Sequence, residues 1–475
     1  MATPKPSQTQ ADETRSTLLR RLIFGHENLP DPDWPVDHVP RDERKNLLSI
    51  SAVLLGFVFF AGTLWAGADV GAALGFAQTL TVMGVGYAIL GIYVAVLCLI
   101  AARSGLTTVL LSRYTFGRVG AKWADLLLGG TQVGWFGVTI PLIAVPTAKY
   151  LGINTPTWVG ALIIIWGLLH LATAYVGYDG MEKLSLVAVP ALVVIGTLSI
   201  VIALQDVGGI SGLFAQAGAA ESTMTFGAAV TIVVGTFISG GTQAPNWARF
   251  AQNHRVGFWA GLVAFLLGNG FLFLSGTVGG VAYNVTPQGD LFEVLAAQGL
   301  ATVGLIALIF NIWTTNDNAA YAFGVAGSEA FDFDRKRPFV LIGGFIGIGL
   351  ALAGADGLLI PWLSTLGLYI PPLGGVIIAD FLVRWRLQVP IMDHIEFTTL
   401  RVVPVGAYLL GCGAAVLTAG SVIPGVAAPQ LLPGIPSLNG ILVAMAALVV
   451  GHYALEATGI APTHSISQNP QLTHR

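Results

Sequence analysis

Apolar residues fill most of the chain in long runs that short polar segments separate. A helix needs about 20 mostly apolar residues to cross the hydrocarbon core of a bilayer. Twelve runs of this kind predict a polytopic, all-α membrane protein, since one soluble domain could not keep twelve such helices in its interior. The runs lie near residues 46–73, 75–102, 122–148, 157–177, 183–204, 224–248, 256–284, 298–325, 338–355, 357–381, 401–421 and 436–457.

The placement of positive charge supports this number of spans. If the N-terminus is cytoplasmic and the chain changes side at every span, all 22 Lys and Arg residues except Lys149 fall in cytoplasmic segments. Such an excess is typical of cytoplasmic loops, and one span missed in mid-chain would destroy it. The sequence therefore predicts an inner-membrane protein with cytoplasmic tails at residues 1–45 and 458–475 and a transmembrane domain at 46–457. Residues 290–297 are expected to form a short extracellular helix.

Composition agrees with a membrane protein and narrows the class of function. Hydrophobic residues make up 54% of the chain and charged residues only 10%, against roughly 25% charged residues in soluble domains. The net charge of −3 gives no indication of nucleic-acid binding. The eight histidines have no ligand-like spacing, and no nucleophile–base set stands out, so we expect no enzyme and no cofactor. A carrier, a channel and a receptor on a transporter scaffold remain, and no obligate protein partner is indicated.

Two segments that lie five spans apart combine glycines, hydroxyls and aromatic rings at mid-membrane depth. Residues 59–69 of span one read FFAGTLWAGAD, and residues 235–245 of span six read GTFISGGTQAP. Glycine-interrupted helices at matching positions of two halves are typical of transporter binding sites, where unwound backbone lines a cavity. The alternative is close helix packing through small residues. The pattern favours two broken helices at a transport site.

Span eight carries a polar stripe. Asn311, Thr314, Thr315 and Asn318 follow one another at the spacing of a single helical face. Uncharged oxygen atoms suit a weakly held hard cation such as sodium, whereas carboxylate-rich sites suit divalent ions. The alternative is hydrogen bonding between helices. Asp317 in the same span is an intramembrane acid, for which a functional role and a partner on a neighbouring helix are both open.

Span three places an amide and an indole on one face. Gln132 and Trp135 are separated by three residues, and the glycines around them leave room beside the ring. An amide can pair in a two-pronged way with the edge of a heterocycle, and an indole offers a face for stacking. Plain core packing is the alternative. Together the two side chains indicate a planar, neutral ligand with a polar edge.

Four segments carry a resemblance to a known family. They are residues 105–108 (GLTT), 128–138 (LGGTQVGWFGV), 311–318 (NIWTTNDN) and 370–380 (IPPLGGVIIAD). In these segments the chain resembles the bacterial cytosine permeases of the nucleobase:cation symporter family (purine/cytosine permeases). The resemblance implies a LeuT-type fold of two inverted five-helix repeats, at about 46–204 and 224–381, plus two further helices at about 401–457.

The resemblance also implies a function, sodium-coupled symport of a nucleobase, cytosine first, into the cell by alternating access. Proton-coupled symport of another purine, pyrimidine or related heterocycle is the alternative, with Asp69 and Asp317 as the candidate proton carriers. The implied partners are therefore the base, a sodium ion as coupling ion and membrane lipid.

Individual residues follow from the same resemblance. Trp135 and Phe237 would sandwich the base, and Gln132 would pair with its polar edge. The residues implied to assist Gln132 are Ser239 together with Asn316 or Asn318. The sodium ligands implied are the carbonyls of Phe60, Thr63 and Asn311 and the hydroxyls of Thr314 and Thr315.

Overall fold

A computed structural model describes residues 34, 37–176, 178–216, 218, 224–283, 291–390, 392, 395–423, 425–459 and 465–466. These residues are overwhelmingly helical, as the apolar runs predict. The first helices are α1 (Leu47–Val58), α2 (Ala61–Leu74), α3 (Phe76–Ser104), α4 (Thr108–Thr139), α5 (Pro141–Tyr150), α6 (Pro156–Val176), α7 (Tyr178–Asp206) and α8 (Ile210–Phe214). The helices that follow are α9 (Phe226–Gly235), α10 (Ile238–Thr242), α11 (Pro245–Ala248), α12 (His254–Leu262), α13 (Asn269–Tyr283), α14 (Leu291–Ala297), α15 (Ala301–Ala330), α16 (Arg337–Leu352), α17 (Leu359–Val383), α18 (Val402–Ala419) and α19 (Pro436–Ala457).

Short irregular elements join these helices. A π-helical turn at Val263–Gly268 links α12 to α13, and 3-10 turns lie at Arg41–Glu43 and Ala355–Leu358. Strand β1 (Ile395–Glu396) pairs antiparallel with β4 (Ser465–Ile466). Strand β2 (Ser421–Ile423) pairs antiparallel with β3 (Val426–Ala427).

Each of the twelve predicted spans coincides with one helix or with consecutive helices of the described chain. Among the described residues, eight helical stretches are long and apolar enough to cross a bilayer, and two bent pairs bring the number to ten. The two remaining predicted spans are α15, which carries the polar stripe, and α16, which has only 16 residues. The short helix expected at 290–297 is α14, although Asp290 lies outside the described residues.

Both predicted helix breaks are present. α1 and α2 meet at an angle of 57°, and Phe59 and Phe60 between them leave helical geometry. α9 meets the segment Ile238–Ala248 at 56°, with Phe237 at the break. Gly235 permits the second break to pack tightly, because a Cβ there would lie 2.5 Å from the backbone oxygen of Leu363 in α17.

The third span starts differently from the prediction. The segment before residue 122 was expected to be a loop, but α4 begins at Thr108, where the hydroxyl of Thr107 accepts a hydrogen bond from the backbone N–H of Leu110 at 3.1 Å. Gly117 then interrupts the helix with a φ of +82°. Glycine suits this position because the left-handed region carries a steric cost for other residues. The helix restarts at Arg118 and continues through the predicted span.

The end of the predicted N-terminal tail contacts the helices. Val39 is fully buried, and its backbone N–H donates to the carbonyl of Gly105 at 3.0 Å. Arg249 donates from Nη1 to the carbonyl of Trp34 at 2.6 Å. The division of the chain into tails and repeats stays a prediction.

Candidate functional site

The two helix breaks face a small buried cavity. α4 forms one wall and α15 another, so spans one, three, six and eight all contribute. The lining residues are Phe57, Phe60, Gln132, Trp135, Thr139, Thr236, Phe237, Ser239, Gly240, Thr315 and Ala319. Four of the six residues predicted to bind substrate therefore line one cavity, although they come from two distant parts of the chain.

Aromatic rings form the apolar part of this cavity. The ring of Phe60 stands edge-on to Trp135, with centroids 5.1 Å apart, and edge-on to Phe237 at 6.0 Å. Phe57 meets Phe237 at 5.0 Å, again nearly perpendicular. Edge-to-face contacts of this kind hold the rings in defined orientations. The cavity therefore has rigid aromatic walls suited to a flat ligand.

Polar atoms face the same cavity from two sides. The indole Nε1 of Trp135 donates to Ser239 Oγ at 2.8 Å, which joins span three to span six. Gln132 is only 1% exposed, and its Nε2 has no hydrogen-bond partner among the described residues. Buried polar groups are nearly always paired in proteins. An unpaired amide donor beside the cavity is therefore suited to a ligand that supplies an acceptor.

The two predicted asparagines lie elsewhere. Asn318 donates from Nδ2 to the carbonyl of Thr314 at 2.7 Å and to Asp317 Oδ1 at 3.2 Å. Asn316 contacts Thr139 on one side and His170 on the other. Neither lines the cavity. Asn316 lies directly behind the wall residue Thr139.

Thr315 connects span eight to the break in span one. Its hydroxyl lies 2.8 Å from the carbonyl oxygen of Phe59, 3.2 Å from that of Phe57 and 3.1 Å from that of Asn311. The Thr314 hydroxyl lies 3.1 Å from the same Asn311 carbonyl. These uncharged oxygen atoms are of the kind that sodium binds.

Besides the carbonyls of Phe60 and Thr63 that the resemblance implies, span one offers two further carbonyls to Thr315. The carbonyl of Phe60 accepts from the backbone N–H of Thr63 at 3.0 Å, and the hydroxyl of Thr63 donates to Asn269 Oδ1 at 2.9 Å. Thr315 instead contacts the carbonyls of Phe57 and Phe59. The geometry therefore offers Phe57 and Phe59 as carbonyl ligands from span one.

The two candidate proton carriers lie in different surroundings. Asp69 in α2 is partly exposed, whereas Asp317 is fully buried. Asp317 Oδ2 has no hydrogen-bond partner within the described part of the chain. Buried carboxyl groups in membrane helices commonly mark ion or proton pathways.

Several wall residues, above all Thr139, are not among those that the sequence pattern indicated. Thr139 follows Trp135 by four residues and Gln132 by seven, so all three share one face of α4. Extending the Gln132–Trp135 stripe by one turn could have found it. Phe57 and Ala319 carry no polar atom in their side chains, and only the fold shows that they reach the cavity.

Comparison with known proteins decides the family. Residues 38–455 match the family described as permeases for cytosine/purines, uracil, thiamine and allantoin. The chain belongs to this family. It is thus a multi-pass membrane permease and not an enzyme, as the resemblance implied.

Two relatives illustrate the range of the family. The cytosine permease of Escherichia coli strain K12 is 37% identical over 91% of this chain and 98% of its own length. The hydantoin permease of Microbacterium maritypicum is 23% identical over 62% of this chain and 64% of its own. The first similarity therefore extends over nearly the whole of both proteins.

Solved structures show the same fold. Mhp1, a nucleobase-cation-symport-1 family transporter in a closed conformation with bromovinylhydantoin bound, has a TM-score of 0.73 at 15% identity over 91% of this chain and 97% of its own. A Na⁺-coupled sialic acid symporter has a TM-score of 0.64 at 12% identity over 94% of this chain and 96% of its own. The predicted LeuT-type fold is confirmed.

Proposed function

We propose that this permease carries a nucleobase, cytosine first, into the cell together with a sodium ion by alternating access. The observation that carries the proposal is the cavity at the two helix breaks, where Gln132, Trp135, Phe237 and Ser239 meet. A flat base can stack on the aromatic walls while its polar edge meets the amide and hydroxyl groups.

The comparisons support a nucleobase as the substrate. The relative with 37% identity along nearly its full length is named a cytosine permease. The family description also names purines and uracil, so the choice among bases depends on the polar atoms of the cavity. We place the protein in the inner membrane with both termini cytoplasmic, because all but one of its Lys and Arg residues then lie on the inside.

Sodium coupling rests on the oxygen cluster around Thr315. The hydroxyls of Thr314 and Thr315 and the carbonyl of Asn311 lie together, and the carbonyls of Phe57 and Phe59 complete the group. The cluster spans two helices, so an ion there would stabilise the arrangement in which the break of span one faces span eight. Thr315 also lines the cavity, which brings the ion and the base close enough to influence each other's affinity.

Proton coupling is the second candidate function. The observation that favours it is Asp317, a fully buried carboxyl group with an oxygen that has no hydrogen-bond partner among the described residues. A carboxyl group in such a position could carry a proton across the membrane. Asp69 is the other candidate.

A thermal-shift screen tests the proposal on purified protein. Cytosine, uracil, adenine and hypoxanthine are each added with sodium or with potassium as the control cation. We expect one base to raise the melting temperature, and sodium to enlarge that rise, since a ligand stabilises the state that it binds. Stabilisation by a base that is equal in both salts would reject sodium coupling. No stabilisation by any base would reject the substrate class.

A further inference from the structure

One side chain of span seven contacts both helix breaks. Asn269, the first residue of α13, is 0% exposed. The hydroxyl of Thr63 donates to Asn269 Oδ1 at 2.9 Å, and Asn269 Nδ2 donates to the hydroxyl of Thr236 at 3.1 Å. Thr63 lies in the first turn of α2, after the break of span one, and Thr236 directly precedes the break of span six at Phe237. We call these three residues the Thr63–Asn269–Thr236 bridge.

The bridge does not depend on the orientation of the amide. An amide has an acceptor at one end and donors at the other, and a threonine hydroxyl can donate or accept. If the amide were reversed, Nδ2 would donate to Thr63 and Oδ1 would accept from Thr236, so each break would keep its contact. Thr63 and Thr236 are only 0% and 2% exposed, which protects both hydrogen bonds from competition with water.

The backbones of α2 and α13 lie in direct contact beyond the bridge. A Cβ at Gly67 would lie 2.2 Å from the carbonyl oxygen of Phe273, so no side chain fits between the two helices there. The hydroxyl of Thr277 also donates to the carbonyl of Gly67 at 2.9 Å. Because close-packed elements transmit displacement, α13 follows a movement of α2. Asn269 then passes that movement to the break of span six.

The two ends of the bridge belong to the two proposed sites. The carbonyls of Phe57 and Phe59 at the break of span one are proposed sodium ligands, and Phe237 at the break of span six lines the cavity. Phe60 and Phe237 directly precede the helices that follow the breaks, and neither has a polar side-chain atom that could cap its helix. A contact from a third helix therefore limits how far the two breaks can separate.

We propose that Asn269 couples the sodium ion to the base by holding the two helix breaks together. Neither Asn269 nor Thr63 lines the cavity, so Asn269 is a positioning residue that acts through Thr236 and the backbone at Phe237. A sodium ion at the break of span one then favours the position of span six that binds the base. The inference rests on the proposed function and adds the side chain through which ion and base influence each other's affinity.

The test measures the dissociation constant of cytosine, or of the base that the thermal-shift screen identifies, in potassium and in sodium. The ratio of the two constants is the coupling factor between ion and base. Asn269→Leu keeps the approximate size of the side chain and removes both hydrogen bonds. It should lower the ratio towards one, by about three- to tenfold, which corresponds to the loss of a hydrogen bond. The affinity in potassium should stay within about twofold of the wild type, since the variant removes no group that touches the base.

Variants of Thr63 test the other end of the bridge. Thr63→Val removes the hydroxyl but keeps the backbone carbonyl, so it should lower the ratio without removing a sodium ligand. Thr63→Ser should retain the ratio of the wild type. The double variant Thr63→Val/Asn269→Leu should have the same ratio as Asn269→Leu alone, because both changes remove one connection. Thr277→Val is the matched control, since it removes another buried hydroxyl that joins α13 to α2, and it should leave the ratio unchanged.

Two results would overturn the bridge while leaving the proposed function intact. One is an equal loss of affinity in both salts for Asn269→Leu, with an unchanged ratio, which would show a packing role only. The other is a ratio that Thr63→Val and Thr277→Val lower equally, which would assign the coupling to the general contact between α2 and α13. If Asn269→Leu does not fold, Thr63→Val and Thr63→Ser decide. A wild-type protein that binds no base, or binds it equally in both salts, would instead reject the proposed function, and the bridge with it.

Discussion

At the scale of single residues, the spans that form the cavity contain polar atoms that the fold leaves unpaired. Gln132 Nε2, Trp65 Nε1 and both side-chain polar atoms of Asn311 are buried without a hydrogen-bond partner among the described residues. Each such group costs stability unless something pairs with it. All three side chains belong to the spans that form the cavity, so pairing with substrate, ion or water is the physical reason to retain them.

Trp135 and Gln132 are expected to affect base binding in different ways. Trp135→Ala removes a stacking face and should cost about 1–3 kcal/mol for every flat base alike. Gln132→Ala removes a group that reads the polar edge, so it should penalise the preferred base most. Competition assays with several bases measure both effects. Trp123→Ala is the control, since Trp123 lies on the same helix and is 57% exposed. A changed order of preference in Trp135→Ala would refute this division of roles.

The two threonines of span eight should differ in their effect on sodium. Thr315 contacts carbonyls on both sides of the helix interface, whereas Thr314 contacts only carbonyls of its own helix, Phe310 and Asn311. Thr315→Ala should therefore raise the sodium concentration for half-maximal uptake more than Thr314→Ala does. By linkage, weaker sodium binding must also lower the affinity for the base. Thr197→Ala in α7, whose hydroxyl contacts only its own helix, is the control. If sodium activates both the Thr314→Ala and the Thr315→Ala variant as it activates the wild type, neither threonine belongs to the ion site.

At the scale of elements, the binding site depends on two helices that are broken and tightly packed at the break. Gly235 ends α9 where the backbone of α17 crosses it. Span six brings Phe237 and Ser239 to the cavity at its break, and span one brings Phe57 and Phe60. The packing of these helix ends therefore sets the shape of the site, although Gly235 itself touches no ligand.

Gly235→Ala should disturb this packing. The added methyl group would lie 2.5 Å from the backbone oxygen of Leu363, so one helix must shift. Overpacking of this kind costs about 1–3 kcal/mol, and we expect a lower melting temperature together with weaker base binding. Gly84→Ala in α3 is the matched control, because its added methyl group has no neighbour within 4 Å. A Gly235→Ala variant as stable and active as Gly84→Ala would contradict the account.

Sequence patterns predicted the helices and the breaks, but not which neighbour each polar side chain meets. Apolar runs reflect the length that a helix needs to cross the lipid bilayer, and glycine clusters reflect the conformational freedom of glycine. Both properties depend on the local sequence alone. The helical period also placed Gln132 and Trp135 on one face. The resemblance implied Asn316 or Asn318 at the base. Neither lines the cavity here, and Asn316 contacts Thr139 and His170, a pair that only the position of α6 beside α15 brings together. Helical periodicity contains no information on that neighbour.

At the scale of the whole molecule, a neutral base moving with one sodium ion carries one charge. At about 100 mV this charge contributes roughly 2.3 kcal/mol, and a tenfold sodium gradient contributes about 1.4 kcal/mol. Vesicles with both forces should therefore concentrate the base a few hundredfold. A membrane potential imposed with potassium and valinomycin should increase the initial rate of uptake, and uptake insensitive to the potential would contradict a one-to-one stoichiometry.

Coupling requires that ion and base sites act on the same helices. Thr315 lies between the proposed sites, since it lines the cavity and contacts the carbonyls at the break of span one. A channel needs no such shared element. Saturable uptake that depends on both solutes therefore separates a carrier from a pore, and binding without flux would indicate a receptor.

The most direct test of the account is uptake of radiolabelled cytosine into vesicles that contain the purified protein. An inward sodium gradient at equal internal and external pH should drive accumulation above the external concentration, and a potassium gradient should not. The Thr315→Ala variant should lose most of the sodium dependence. Accumulation that ignores sodium and follows an imposed proton gradient would contradict the sodium site and assign the coupling to the intramembrane acids. Absence of cytosine uptake under every gradient, while another base is accumulated, would contradict the choice of substrate.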